Sequence, residues 1–247
     1  MDSLPVSPSL GPTRNPASAS PSTTAKAGAT GPSASTELSS FLLALRKLRE
    51  AILSTSATTP PSFAQKVHVF SVRISILAQH PPSYLPSLDF LLRKMNSPSH
   101  PLPESELREF VSYEILDHAC RQGDMIRAFE LRATARQRYA FRSRTVDRVL
   151  EALLQGNWVV FWQVRNSVDS YMRTMINWAA DRMRRQALKS VGSAYLNVEA
   201  GWVLEGCTGE QGWTWEKLVE VERLGWQKEG DKIIIKRPKR KPEAKPA

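Results

Sequence analysis

A succession of short amphipathic segments, each bounded by proline, serine or glycine, most constrains what this chain can fold into. Between residues 37 and 195, apolar side chains recur every three or four positions within each segment. This spacing predicts helices with one buried face, because side chains three or four positions apart share a side of a helix. The short connections predict antiparallel neighbours, as in helical-repeat arrays of the tetratricopeptide type.

Local signals predict where each helix begins and ends. Asp124, Ser143 and Asn157 precede apolar runs as amino-terminal caps, and Gly123 follows a run as a carboxy-terminal cap. The predicted helices cover residues 37–52, 63–77, 84–95, 103–123, 124–137, 143–156, 157–164, a longer one from 168 that runs on or breaks near Arg185, and 188–195.

The last part of the chain has a different pattern. Residues 198–204 are predicted as a short helix, and Thr214 begins another that carries Leu218 and Leu224. Two β-prone segments, 226–228 and 232–236, then flank Gly230 and predict a hairpin. Helix, helix, hairpin is the order of a winged helix, so the fold class expected is mostly α, ending in a winged-helix subdomain with a small β-hairpin.

Two terminal segments differ in composition from the helical region. Of the first 36 residues, 28 are Ser, Thr, Pro, Ala or Gly, too few apolar groups to offset the cost of ordering a backbone. Residues 236–247 carry six lysines and arginines against one glutamate, half of the net charge of +10. The domains expected are a disordered tail over 1–36, a helical array over 37–196, a winged-helix-like subdomain over 197–236 and a basic disordered tail over 237–247.

Three segments, taken in order, resemble motifs of the PCI-domain family. Residues 109–116, EFVSYEIL, are similar to its EF-x-x-Y-x-(I/L)-L helix, and residues 149–162, VLEALLQGNWVVFW, to its A-x-x-x-GN(Y/W)-x-x-F(F/W) segment. Residues 182–195, RMRRQALKSVGSAY, are similar to the helix before its winged helix. The resemblance covers residues 83–236. It points to the group with the smallest COP9 signalosome subunit, a proteasome-lid regulatory subunit and the k subunit of translation initiation factor three, and SAC/GANP-type scaffolds share the motifs.

This resemblance implies a non-catalytic scaffold subunit that binds other PCI-type subunits of a signalosome, proteasome-lid or initiation-factor complex. It implies assembly by edge-to-edge pairing of winged-helix sheets together with a bundle of terminal helices. In this chain a Pro- and Lys-rich segment follows the hairpin instead of a long helix. The winged-helix unit is therefore expected to make most of the assembly contact.

Catalytic and metal-binding patterns are not recognisable in the sequence. The four histidines lack partners at metal-ligand spacing, and Cys120 and Cys207 lie far apart. There is no Gly-rich phosphate loop, nucleophile elbow or paired-carboxylate signature. We therefore expect no enzyme activity, metal, cofactor or small-molecule substrate. Two cysteines fit a reducing compartment, with one disulfide left open.

Aromatic and isoleucine side chains near the carboxy-terminal turns are the candidate protein interface. All seven tryptophans lie between Trp158 and Trp226. Those of the 157–164 helix are expected in the core, whereas those beside turns are predicted to be exposed anchors next to a sheet edge formed by the isoleucines. The predicted interface residues are Trp213, Trp226, Ile233, Ile234 and Ile235.

Basic residues form a second candidate surface. Between Arg121 and Arg148 there are eight arginines and three acidic residues, which fit either a solvated helix face or a groove for RNA or an acidic protein. Residues 236–241, KRPKRK, fit a nuclear import signal first, then a phosphate-binding extension or a solvated tail. The candidate nucleic-acid residues are Arg182, Arg184, Arg185, Lys189, Lys232, Lys236, Arg237, Lys239, Arg240 and Lys241.

Two functions follow from these patterns. The first is the PCI-type scaffold, and the alternative is an RNA- or DNA-associated adaptor in mRNA export or transcription-coupled processing. The amino terminus lacks the features of a secretory signal or a mitochondrial presequence, which predicts a nuclear and cytoplasmic protein. No apolar run approaches the roughly 18 to 20 residues that cross a bilayer, so no membrane partner is expected.

Overall fold

A computed structural model describes residues 34–236, and this part of the chain is mostly helical with one small antiparallel sheet. Three π-helical segments, Phe90–Met95, Asp117–Gln122 and Val203–Cys207, continue α3, α4 and α10. The α-helices within residues 34–236 are α1 (Ala34–Ser54), α2 (Pro61–Leu77), α3 (Pro81–Asp89), α4 (Glu104–Leu116), α5 (Met125–Tyr139), α6 (Arg144–Gln155), α7 (Trp158–Ser167), α8 (Ser170–Asn177), α9 (Ala180–Ala194), α10 (Ala200–Trp202) and α11 (Trp215–Glu222).

The predicted tails fall almost wholly outside the described residues. Helix α1 begins at Ala34, slightly before the start at residue 37 that the apolar pattern indicates. In the described range 34–236, no helix combines the length and the apolar character needed to cross a membrane.

Helix boundaries follow the capping residues that the sequence predicts. The side chains of Asp124, Ser143, Asn157 and Thr214 each accept a hydrogen bond from a backbone N–H in the first turn of their helix, as predicted. Gly123 ends the helical segment before α5 with φ of 74°, a conformation that a side chain would strain. The four side-chain caps satisfy N–H groups that the start of a helix leaves without partners.

The expectation of one longer helix from residue 168 that runs on or breaks near Arg185 is wrong in the position of the break. Helix α8 ends at Asn177, and α9 starts at Ala180 and continues through Arg185. At the break, the N–H of Ala179 donates to the carbonyl of Ile176, and both side chains are fully buried. The apolar spacing therefore continues across the turn, which hides it from a periodicity argument.

The sheet corrects two further predictions. Strands β1 (Asn197–Glu199), β2 (Gln227–Glu229) and β3 (Lys232–Ile234) are antiparallel in the order β1-β3-β2. Residues 198 and 199 are therefore strand and not helix, because Val198 pairs with Ile233 across the sheet. Strand β3 is central, so the expectation that residues 233–235 offer a sheet edge is wrong. The predicted hairpin is present, with β2 paired to β3.

The buried side chains form two principal clusters. One lies within α2–α8 and the start of α9 and includes Tyr84, Phe110 and Phe161, each 0% exposed. The other joins α9, α10, α11 and the sheet around Val191, Leu218 and other side chains. We call α1–α8 the helical body and residues 180–236 the carboxy-terminal unit. The side chain of Trp158 packs against both clusters.

Candidate functional site

The predicted interface residues gather in the carboxy-terminal unit, around the sheet and the helices that cover it. Strand β3 places Ile233 in the second cluster with 0% exposure, beside Val203 and Leu218. Ile234 and Ile235 are half-buried, and the N–H of Ile235 donates to the carbonyl of Leu196 at 2.8 Å. These isoleucines build the core of the unit and its sheet rather than an edge.

Trp213 is half-buried and not the exposed anchor that its position beside a turn predicts. Two cations lie over its ring, with the guanidinium carbon of Arg184 at 4.5 Å and Nζ of Lys217 at 4.6 Å from the ring centroid. Its Nε1 donates to Glu210 Oε2 at 3.4 Å. The electron-rich face of the indole is thus already occupied by cations of the same chain.

Trp226 is also half-buried and packs against α9. A Cβ at position 192 would lie 3.0 Å from a ring carbon of Trp226, so Gly192 is the residue that lets the ring approach this closely. The more exposed indoles are those of Trp202, at 45%, and Trp178, at 36%. Proximity to a turn therefore did not identify the exposed tryptophans.

An aromatic surface that the sequence did not indicate lies beside the outer strand β1. Tyr195 and Leu196 precede the strand and are 50% and 51% exposed, and Trp202 follows it. The rings of Tyr195 and Trp202 lie 6.2 Å apart. We call these three residues the β1 surface. The sequence analysis placed Tyr195 in the predicted helix 188–195, whereas α9 ends at Ala194 and leaves Tyr195 outside it.

Arg184 is buried, at 6% exposure, although it was predicted to contact nucleic acid. Its Nε donates to Glu222 at 2.6 Å and its Nη2 to Asp181 at 2.8 Å. The side chain of Glu222 is only 6% exposed, so the pair joins α9 to α11 away from water. The guanidinium of Arg184 is therefore committed to the fold and is not presented to phosphates.

The other predicted nucleic-acid residues differ in their surroundings. Nη2 of Arg182 donates to the carbonyl of Ala119 at 2.9 Å, which ties α9 to the helical body. Arg185 is exposed, 3.9 Å from a carboxylate oxygen of Glu222. Lys189, Lys232 and Lys236 are exposed, whereas Arg237, Lys239, Arg240 and Lys241 lie outside the described residues. Of the described candidates, Arg182 and Arg184 therefore make contacts within the fold, whereas the others remain exposed.

The arginine-rich stretch divides into paired and unpaired residues. Arg121, Arg127 and Arg132 pair with Asp117, Glu130 and Asp147. Four exposed arginines around the end of α5 and the start of α6 make no ion pair with any residue in the range 34–236: Arg136, Arg138, Arg142 and Arg144. They form the densest group of uncompensated positive charge in the arginine-rich stretch.

Cysteine and histidine side chains do not form a reactive constellation. Cys120 and Cys207 are free and buried, and desolvation raises the pKa of each thiol to about 12, which keeps it protonated. Burial, followed by the nearby charge of Arg49, lowers the pKa of His68 to about 4. Among the described residues, no three His, Cys, Asp or Glu side chains are close enough to hold a metal ion.

Comparison with other proteins adds no family assignment to this geometry. No protein-family model matches the chain, and no curated protein is significantly similar to it in sequence.

Proposed function

We propose that this chain is a non-catalytic, PCI-type scaffold subunit that assembles with other PCI-type subunits through its carboxy-terminal unit. Within that unit the order is helix α9, strand β1, helices α10 and α11, then the β2–β3 hairpin. This order supports a winged helix, and the short connections among α4–α8 support a helical-repeat array. Both assignments, and the signalosome, proteasome-lid or initiation-factor class of complex, rest on the motif resemblance.

The observation that carries the proposal is the β1 surface. A strand at the side of a sheet is a template for pairing with another chain, and proteins usually cover or charge such edges. Here the strand carries one exposed charge, Glu199, but the residues that flank it are Tyr195, Leu196 and Trp202, all large and about half exposed. Exposed aromatic and aliphatic groups beside a strand fit strand addition by a partner, with backbone hydrogen bonds for affinity and side chains for specificity.

The test is affinity purification of the native chain with identification of its partners. We expect other PCI-type subunits to co-purify, and a Tyr195→Ala, Leu196→Ala variant to lose them. Trp178→Ala is the matched control, because it removes an exposed ring from the helical body. If the native protein occurs only as a free monomer, the proposal is contradicted.

A second candidate, binding of RNA through phosphates, is favoured by the four uncompensated arginines at the α5–α6 junction. Arginines that face solvent without carboxylate partners are available to phosphate oxygens. Reversing Arg136, Arg138 and Arg142 to Glu should weaken binding of single-stranded RNA, and the wild-type affinity should fall steeply with salt. Arg184 is unsuitable for such a test because its reversal would break a buried ion pair. Reversal of exposed Arg46, which has Glu50 as a partner, is the control.

A further inference from the structure

The first two helices in the described part of the chain carry apolar side chains that face solvent. On α1 these are Phe41 and Leu48, and on α2 three large residues recur every seven positions: Phe63, Phe70 and Leu77. The rings of Phe41 and Phe70 meet edge to face, with their centroids 6.3 Å apart. The two rows therefore form one continuous surface, and we call these five residues the α1–α2 surface.

The area of this surface is large enough for an interface between subunits. Each of its three phenylalanines is about half exposed, so together they present about 300 Å² to solvent, because one such side chain has an area of roughly 150–250 Å². Burial between two copies would remove about 600 Å² from these rings alone. With the leucines and the neighbouring small side chains added, the contact can reach the roughly 1,000 Å² expected of a biological interface.

Helix α1 also carries a stripe that fits a second copy of itself. Phe41, Ala44, Leu48 and Ala51 are all exposed and follow one another at the alternating spacing of three and four positions. This is the spacing of the core positions of a coiled coil, so the four residues share one side of the helix. Because large and small side chains alternate along the stripe, an antiparallel copy can place Phe41 of each chain against Ala44 of the other. Such a contact is two-fold symmetric, as in most homodimers.

The charges on α1 favour this pairing and fix its register. Glu37 and Lys47 are exposed and make no ion pair within residues 34–236. When Phe41 lies opposite Ala44 of the copy, Glu37 lies next to Lys47 of the copy, and symmetry supplies this pair twice. A shift of one heptad would instead set Phe41 opposite Ala51 and bring the two Lys47 side chains together, which is repulsive. Opposite charges thus meet in one register only.

The remaining charges near the surface are compatible with its burial. Arg46 and Glu50 pair with each other on the side of α1 that faces away from the stripe. Lys66 is exposed between Phe63 and Phe70 on α2. Its long aliphatic stem can cover apolar surface while the ammonium group stays in water at the rim of the contact. None of these charges has to be buried without a partner.

We propose that this chain forms a two-fold symmetric homodimer through the α1–α2 surface, with α1 antiparallel to α1 of the second copy. Phe41 packs against Ala44 and Glu37 pairs with Lys47 across the interface, in both directions. The exposed side chains of α2 flank this contact and close its edge. The homodimer goes beyond the proposed scaffold function and does not depend on it, because the β1 surface lies in the carboxy-terminal unit and stays free.

Sedimentation equilibrium of the full chain across the micromolar range tests the proposal. We expect a reversible equilibrium between monomer and dimer in the wild type. Ala44→Glu sets a charge against Phe41 of the copy and should leave only monomer. Leu43→Glu is the matched control, since it adds the same charge at an exposed neighbouring position outside the stripe, and it should still dimerise. Circular dichroism verifies that both variants keep the helical fold.

Charge exchange tests the register and the identity of the partner. Glu37→Lys and Lys47→Glu should each weaken dimerisation about tenfold, because both symmetric pairs become repulsive. A mixture of the two variants should recover wild-type affinity, because opposite charges meet in both pairs of the mixed dimer. Only pairing between two copies of this chain predicts that recovery.

Three results would overturn the proposal. The first is a wild-type chain that stays monomeric at every concentration. The second is a dimer that persists in Ala44→Glu, including one that is lost only when Tyr195 and Leu196 are replaced by alanine, since that dimer would form through the β1 surface. The third is a mixture of Glu37→Lys and Lys47→Glu chains that associates no better than either variant alone.

Discussion

The helical body and the carboxy-terminal unit differ in how deeply they bury the aromatic side chains of their cores. In the body, Tyr84, Phe110 and Phe161 are fully buried. In the unit, Trp213 and Trp226 are half-buried and Trp202 is 45% exposed. Buried rings contribute to stability, whereas half-exposed rings beside a strand are typical of surfaces that bind partners. The body also carries exposed rings, on Phe41, Phe63 and Phe70, but these lie on α1 and α2 and not beside a strand.

Each region also contains a network of hydrogen bonds around a buried charged side chain. In the body, Asp117 is 0% exposed and accepts hydrogen bonds from Tyr84, Arg121 and Gln122. Desolvation would raise the pKa of Asp117, but these donors outweigh it and lower the pKa below its usual value. In the unit, the guanidinium of Arg184 and the carboxylate of Glu222 are both buried and pair with each other. Each network can be disrupted by a single substitution, so its contribution to the stability of its own region can be measured separately.

The largest effect is expected from Asp117→Ala. Removing the carboxylate leaves the Tyr84 hydroxyl and the Arg121 guanidinium without their acceptor, and breaking a buried pair costs about 3–5 kcal/mol. Thermal and denaturant unfolding followed by circular dichroism measure the change. Asp89→Ala removes an exposed ion pair with Arg93 and should cost less than about 1 kcal/mol. Equal losses in the two variants would contradict a special role for the buried network.

A smaller effect, confined to the carboxy-terminal unit, is expected from Glu222→Gln. Arg184 then keeps Asp181 and the Trp213 ring, so we expect a loss of about 1–3 kcal/mol. Amide hydrogen exchange should accelerate in α9, α11 and the sheet but not in α4 or α6. Uniform acceleration throughout residues 34–236 would show that the two regions unfold together.

The third effect in size is expected from acid, which should lower the free energy of unfolding of the helical body. The folded pKa of His68, lowered to about 4 by burial and then by Arg49, lies below the unfolded value of about 6.5, so the stabilisation is present above about pH 6.5 and is lost as the pH falls towards 4. Between about pH 7 and pH 5 this loss should be about 1–2 kcal/mol. Other titratable groups around the same cavity are Arg46, Arg49, Glu50, His80, Asp89 and Lys94.

His68→Phe tests this prediction, since the ring stacks on Phe90 at 4.1 Å and a phenyl group preserves that contact. Unfolding measured at a series of pH values should show a flatter dependence in the variant. An unchanged pH dependence would mean that a different group titrates. The carboxy-terminal unit contains no histidine between residues 180 and 236, so its exchange rates should respond less.

The smallest effect on stability is expected from Trp202→Ala. Its ring is nearly half exposed, and surface substitutions usually change the free energy of unfolding by less than about 0.5 kcal/mol. Assembly through the β1 surface should nevertheless weaken, which size-exclusion chromatography with purified partners would measure. A destabilisation as large as that of Glu222→Gln would instead make Trp202 part of the core.

Sequence reasoning succeeded where local chemistry decides the structure. The caps at Asp124, Ser143, Asn157 and Thr214 each depend on a residue and the next few positions, and all four are present. Placement of β1 depends on pairing between residues about 35 positions apart, which local propensity does not encode. The burial of Arg184 likewise depends on Glu222, on another helix. The placement of β1 determines where the β1 surface lies, and the burial of Arg184 removes that residue from the candidate nucleic-acid surface.

The packing of α9 has a consequence for how such a chain can be rearranged. Ala187, Leu188 and Val191 of α9 belong to the same cluster as Ile233 of the sheet, while Arg182 on that helix bonds to the body. A recombination event that replaced residues 197–236 with those of another subunit would therefore leave α9 facing a foreign core. Exchange of residues 180–236 would transplant a more complete module, at the expense of the Arg182 contact.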